Sequence, residues 1–148
     1  MKKTILVVGA SGYVGSHLVP ELLNQGHHVR ATGRNLQLLR KRGWNDLDNL
    51  ELIYLDLNDD SDLTDLFHGV DIVFFLVHGM NHGHDFIDFE LDCARHFSQY
   101  LEHSQVEQVI YLGALQSEDA ASTHLLARKE TGNILRNSGK LSLNYVLE

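Results

Sequence analysis

Residues Gly9-Ala10-Ser11-Gly12-Tyr13-Val14-Gly15 place a glycine at every third position of one short window. The window opens directly after the apolar run Thr4–Val8 and leads into a stretch with helical spacing. A strand that turns sharply into a helix needs such positions, because a side chain would block the turn and the close packing that follows. The rest of the chain repeats this order. Short β-branched or apolar runs at Thr4–Val8, His28–Thr32, Leu52–Leu55, Asp71–Val77, Gln108–Leu112 and Leu143–Leu147 have the character of buried strands. Strands that alternate with helices demand a parallel sheet with right-handed crossovers and helices on both faces.

The helical stretches have readable ends. The first follows Gly12, puts Val14, Leu18 and Leu22 on one face, stops near Gly26 and contains Pro20, which is expected to kink or locally loosen it. Leu36–Arg42 is a short second helix. Asp62–His68 is a third, with Ser61 as its expected cap. Asp85–His103 is the longest, with Phe86, Phe89, Cys93, Phe97 and Leu101 as its apolar stripe, and His124–Asn137 is the last. The expected fold class is α/β, a doubly wound parallel sheet of the Rossmann kind. The sixth strand begins just before the sequence stops. One domain over residues 1–148 is therefore expected, truncated in or just after strand six, with a substrate region outside the chain.

The glycine window carries a ligand expectation. Gly9 permits the turn, Gly12 lets the backbone approach a pyrophosphate, and Gly15 lets the helix pack against the sheet. The helix N-terminus then offers amides and a partial positive charge to phosphates. Strand two ends in Ala31-Thr32-Gly33-Arg34-Asn35, with no acidic residue between Val29 and Asn35 to take a ribose 2′-hydroxyl. Arg34 stands there instead, and a guanidinium pairs with a 2′-phosphate in bidentate fashion. This favours NADP over NAD, with Arg40 and Lys41 adding positive field. Asp56, after strand three, can accept from an adenine amino group or cap the following helix.

Charge and composition narrow the partners. A net charge of −8 offers no basic stripe for nucleic acid. No membrane span or signal peptide is visible. The single cysteine, Cys93, permits no internal disulfide, which suits a cytoplasmic setting. On its helix it reads as a small buried hydrophobe, and Tyr111 reads as a strand residue, not a catalytic acid.

Gly-Ala-Ser-Gly-Tyr-Val-Gly, Thr-Gly-Arg-Asn, Leu-Asp-Leu and Tyr111-Leu112-Gly113-Ala114-Leu115 together resemble the atypical short-chain dehydrogenase/reductase superfamily. The likeness is to its NmrA-like branch and to relatives of nucleoside-diphosphate-sugar epimerases. It implies the sheet order 3-2-1-4-5-6 and a cofactor across the strand C-termini. It places Gly9, Ser11, Gly12, Tyr13 and Val14 on the phosphate loop and Arg34 at the 2′-phosphate. Asp56 and Leu57 fall beside adenine, Leu76, Val77 and His78 along the ribose, and Gly113 and Ala114 near the nicotinamide.

That superfamily's reductases and epimerases use a Tyr-x-x-x-Lys pair on the helix after strand five. Here Leu125 stands four residues before Lys129, so the pair is incomplete. His78 and Lys129 are the residual catalytic candidates. His78, His82, His84 and Asp85 cluster in sequence but lack the tight cysteine spacings of structural zinc sites, and no metal is expected. Two readings stand: an NAD(P)-dependent oxidoreductase or epimerase domain, or a redox sensor or accessory subunit that binds NAD(P) without turnover.

Overall fold

The computed structural model describes residues 2–44, 47–77, 86–114 and 123–147. Its elements alternate along the chain: β1 (Thr4–Val8), α1 (Tyr13–Asn24), β2 (His28–Gly33), α2 (Leu36–Arg40), β3 (Leu50–Tyr54), α3 (Thr64–Phe67), β4 (Ile72–Phe75), α4 (Phe86–Glu102), β5 (Gln108–Ala114), α5 (Thr123–Asn137) and β6 (Leu141–Leu147). The strands form one six-stranded sheet in the order β3-β2-β1-β4-β5-β6. Every pairing is parallel. The expected α/β class and strand order are those observed.

The central strand shows why the apolar runs are continuous. Ile5 and Val7 point into one core with Val19 and Leu22 of α1 and Leu39 of α2. Leu6 and Val8 point into the opposite core with Phe67, Cys93, Phe97, Leu101 and Leu135 of α3, α4 and α5. A strand covered on both faces has no polar face to show. Each such side chain, fully buried, contributes about 1.5–3 kcal/mol. Around Phe97 the second core is aromatic, with Phe67 and Phe75 rings 4.9 and 5.1 Å away.

Two local expectations need correction. The buried stripe of α1 is Gly15, Val19 and Leu22, with Val14 and Leu18 only half-buried beside it. The stripe shifts because the glycine must face the sheet. Pro20 lies inside α1, and the helix continues past it. Pro20 is exposed, so water can reach the carbonyl that a proline leaves without its amide partner. Ser61 does not cap α3. That helix starts at Thr64, its N-cap position is Leu63, and its first amide donates to Asp62 Oδ1. The Ser61 hydroxyl bonds to Asp59 instead. Among the described residues, no helix is long and apolar enough to cross a membrane.

Candidate functional site

The site forms at the C-terminal edge of the sheet, at the neighbouring strands β1 and β4, where the strand order reverses. Right-handed crossovers send α1 to one face and α3 to the other, which opens a crevice above β1. The first turn out of β1 runs close to the end of β4. Gly9 takes a φ of +83°, and a Cβ there would stand 3.2 Å from the Leu76 carbonyl carbon. The Ala10 amide donates to the Thr32 carbonyl at 2.8 Å, which hangs the loop on β2. A Cβ on Gly12 would meet nothing within 4 Å. Gly12 precedes the first turn of α1 with no side-chain cap, so the helix presents its leading amides beside open space.

A cavity of about 400 Å³ lies over this edge. That volume is within the range of small-molecule and cofactor sites. Gly9, Ser11 and Gly12 form its floor, and Leu76 and Val77 line it from the end of β4. Thr32, Gly33 and Arg34 line it from β2, and Leu55, Asp56 and Leu57 from the loop after β3. Phe89 and Cys93, one turn apart on α4, close the remaining side. Eight of the thirteen residues expected to hold a cofactor therefore meet at one cavity: Gly9, Ser11, Gly12, Arg34, Asp56, Leu57, Leu76 and Val77.

Of the other five, four are not among its lining residues. Tyr13 is 79% exposed and packs edge-on against His17. Val14 is half-buried and Gly15 is buried under the loop. Gly113 lies near the end of β5, paired with Val146 of β6. His78 lies outside the described residues, as do His82, His84 and Asp85. Of the catalytic candidates only Lys129 is described, as an exposed residue of α5. Among the described residues, no three His, Cys, Asp or Glu side chains gather to hold a metal ion.

Electrostatics organise the cavity walls. The Arg34 guanidinium sits 5.6 Å from the centre of the Phe89 ring, so a β2 cation and an α4 aromatic face each other across the opening. Asp56 does not cap a helix, because α3 begins eight residues later. Its Oδ1 accepts from the Asn58 amide at 2.9 Å and turns its own loop. Cys93 is 1% exposed. Burial, with the Asp56 carboxylate nearby, pushes its thiol up to about 12, against a smaller opposing pull from Arg34. It is a neutral wall residue, not a nucleophile. Tyr111 is fully buried. Burial first and the Glu90 charge second raise its phenol, against a hydrogen bond with Thr131 and the Arg128 charge.

Two features escaped the sequence. Arg42 donates from Nη2 to the Ser11 carbonyl and so reaches the glycine loop, where Arg40 and Lys41 had been the expected cations. Phe89 packs against the core, as its place on the apolar stripe implies, and also walls the cavity. Its apolar spacing on α4 carried no sign of the second role. Nothing in a run of three cations marks Arg42 above its neighbours.

A family model described as NAD(P)H-binding matches residues 9–144. The chain is 40% identical over 85 residues to a dihydroflavonol 4-reductase of Arabidopsis thaliana, a match that covers 54% of this chain and 22% of that protein. The fold superposes on the Bordetella bronchiseptica enzyme WbmH in complex with NAD+ with a TM-score of 0.80 at 16% identity, covering 97% of this chain and 55% of that one. It superposes on NmrA, a negative transcriptional regulator, with a TM-score of 0.75 at 23% identity, covering 97% and 45%. The chain thus spans about half the length of these two structures. With its glycine loop under a cavity at the sheet's switch point, the chain belongs to the NAD(P)H-binding family.

Proposed function

We propose that the chain is the NADP-preferring cofactor domain of an atypical short-chain oxidoreductase. The observation that carries the preference is Arg34, which lines the cavity from the end of β2, where no acidic residue stands between Val29 and Asn35. A carboxylate there would repel a 2′-phosphate, and a guanidinium attracts one.

The residue roles follow from position. Gly9, Ser11 and Gly12, with the amides of Tyr13, Val14 and Gly15, hold the diphosphate. Arg34 pairs with the 2′-phosphate. Asp56 and Leu57 border adenine, Leu76, Val77 and His78 border the ribose, and Gly113 lies toward the nicotinamide. Bound NADP(H) supplies the hydride chemistry. The protein's part is to orient the dinucleotide and to close its adenosine end from water with Phe89 and Leu57. Cys93, a single free thiol, is in keeping with a cytoplasmic setting.

Binding without turnover is the second reading, favoured by one observation. Leu125 occupies the position four residues before Lys129, and leucine has no proton to exchange. In that reading the domain senses the NADP/NADPH ratio and passes it to a partner.

Isothermal titration with NADPH, NADP, NADH and NAD tests the cofactor. NADPH is expected to bind at least tenfold more tightly than NADH, and equal affinities would remove the argument from Arg34. NADPH oxidation, lost in His78→Ala, separates the enzyme from the sensor.

A further inference from the structure

His96, on α4, has both ring nitrogens against backbone carbonyl oxygens. Nδ1 is 2.9 Å from the Leu57 carbonyl, and Nε2 is 2.9 Å from the Ser61 carbonyl. A carbonyl oxygen only accepts, and a neutral imidazole carries a single N–H. A neutral ring would satisfy one carbonyl and aim a lone pair at the other. The imidazolium donates to both. We propose that protonated His96 is a positioning residue that clamps the loop after β3, so that dinucleotide affinity falls as pH rises.

The loop it grips is the adenosine-side wall. Leu57 lines the cavity and Asp56 precedes it. Phe89 and Cys93, also on α4, line the same cavity, so one helix both walls the site and ties down its neighbour. Leu57 and Leu63 bury the two ends of the loop in the core, and the exposed residues 58–62 run between them. The loop is a series of short turns in which Asp56, Asp59 and Asp62 each accept from the amide two residues on. The charged and titratable residues of these segments are Asp59, Asp60 and Asp62 on the loop, Asp65 on α3 with His68 just after it, and Asp92, Arg95 and Tyr100 on α4. Tyr100 packs edge-on against the imidazole at 5.7 Å. Arg95 is paired with Asp92 at 3.1 Å. The Ser61 hydroxyl and amide hold the Asp59 carboxyl below its usual range, and the charge of His96 acts in the same direction. A cation is thus placed against two carbonyls and a carboxylate.

Histidine is the side chain whose charge changes between about pH 5 and 8. Losing the proton removes one of the two donors, and a hydrogen bond of ordinary strength corresponds to a roughly three- to tenfold change in affinity. The role rests on the cofactor reading, because it acts through the proposed adenine wall.

The test uses NADH, which lacks the 2′-phosphate whose second ionisation falls at about pH 6. Its dissociation constant is measured at pH 6 and pH 8 in wild type and in His96→Gln. Imidazole ¹⁵N spectra of the wild-type chain read both ring nitrogens without any ligand. The expected result is a doubly protonated ring at pH 6 and roughly three- to tenfold weaker NADH binding at pH 8, with no pH dependence in His96→Gln. A neutral ring at pH 6 overturns the clamp. So does a wild-type affinity equal at the two pH values, or a pH dependence that survives in His96→Gln; either leaves the cofactor reading standing. No binding of NADH or NADPH at either pH would overturn both.

Discussion

A Cβ added to Gly15 would stand 2.2 Å from the carbonyl oxygen of Ala10. The oxygen is backbone and a Cβ has no rotamer to escape into, and Ala10 is fully buried in the core that contains Trp44. No side-chain rotation relieves such a clash, so either α1 or the loop must move. Gly15→Ala is expected to destabilise the fold by about 1–3 kcal/mol, even though alanine is the better helix former. Urea unfolding followed by the fluorescence of Trp44, the sole tryptophan, measures it. A wild-type midpoint would show that the packing argument is wrong.

Gly12 makes the opposite prediction from the same loop. Its added Cβ meets nothing, and its φ of −77° suits any residue. Gly12→Ala should therefore cost at most about 1 kcal/mol of stability, the order of a helix N-cap substitution. Its effect should fall on the ligand, because the methyl group enters the space that a diphosphate must approach. NADPH affinity is expected to drop about tenfold or more, by the usual cost of overpacking. Titration calorimetry on a variant with a normal urea midpoint separates the two effects. Undiminished affinity would place the phosphates elsewhere.

These two glycines mark what was legible in the chain. The strand-to-helix alternation could be read because strands buried on both faces, such as Leu6–Val8, leave no polar positions. The strand edge of the site was legible for the same reason, since a fixed topology brings the ends of β1, β2, β3 and β4 together. The helix-borne wall was not. Successive residues turn about 100° around a helix, so whether Arg40, Lys41 or Arg42 meets Ser11 depends on where α2 ends. It ends at Arg40, and the cation beyond it swings back to the loop. The loop after β3 was misread because Ser61 and Asp56 both have capping chemistry. Each spends it on turns within the loop instead.

Arg34 carries the cofactor preference, and its substitution should discriminate between ligands. Hydrogen bonds to a charged group contribute about 1.5–3 kcal/mol. Arg34→Ala is expected to weaken NADPH binding about tenfold to a hundredfold while changing NADH binding by less than about threefold. The loss of its contact with Phe89 should cost the fold little, because an exposed cation–π pair contributes about 0.5–1 kcal/mol. Parallel titrations with the two cofactors check this. An equal loss for both would mean that Arg34 shapes the cavity without reading the phosphate.

Cys93 links stability at alkaline pH to the same cavity. Its thiol ordinarily titrates at 9.0 and is raised to about 12 in the fold. Below pH 9 it is protonated whether folded or not, so its contribution is fully present. Between pH 9 and about 12 the unfolded chain releases a proton that the folded chain keeps, and stability falls as pH rises. Tyr111, raised by burial, acts in the same direction above 10. Urea midpoints at pH 7 and pH 10 are expected to differ more in wild type than in Cys93→Ala. At pH 8 the native thiol should react slowly with iodoacetamide and quickly in denaturing urea, because only the thiolate attacks. Since Cys93 also lines the cavity, saturating NADPH should slow the native reaction further. Fast labelling of the folded chain, unaffected by NADPH, would contradict both the burial of this residue and its place in the cofactor wall.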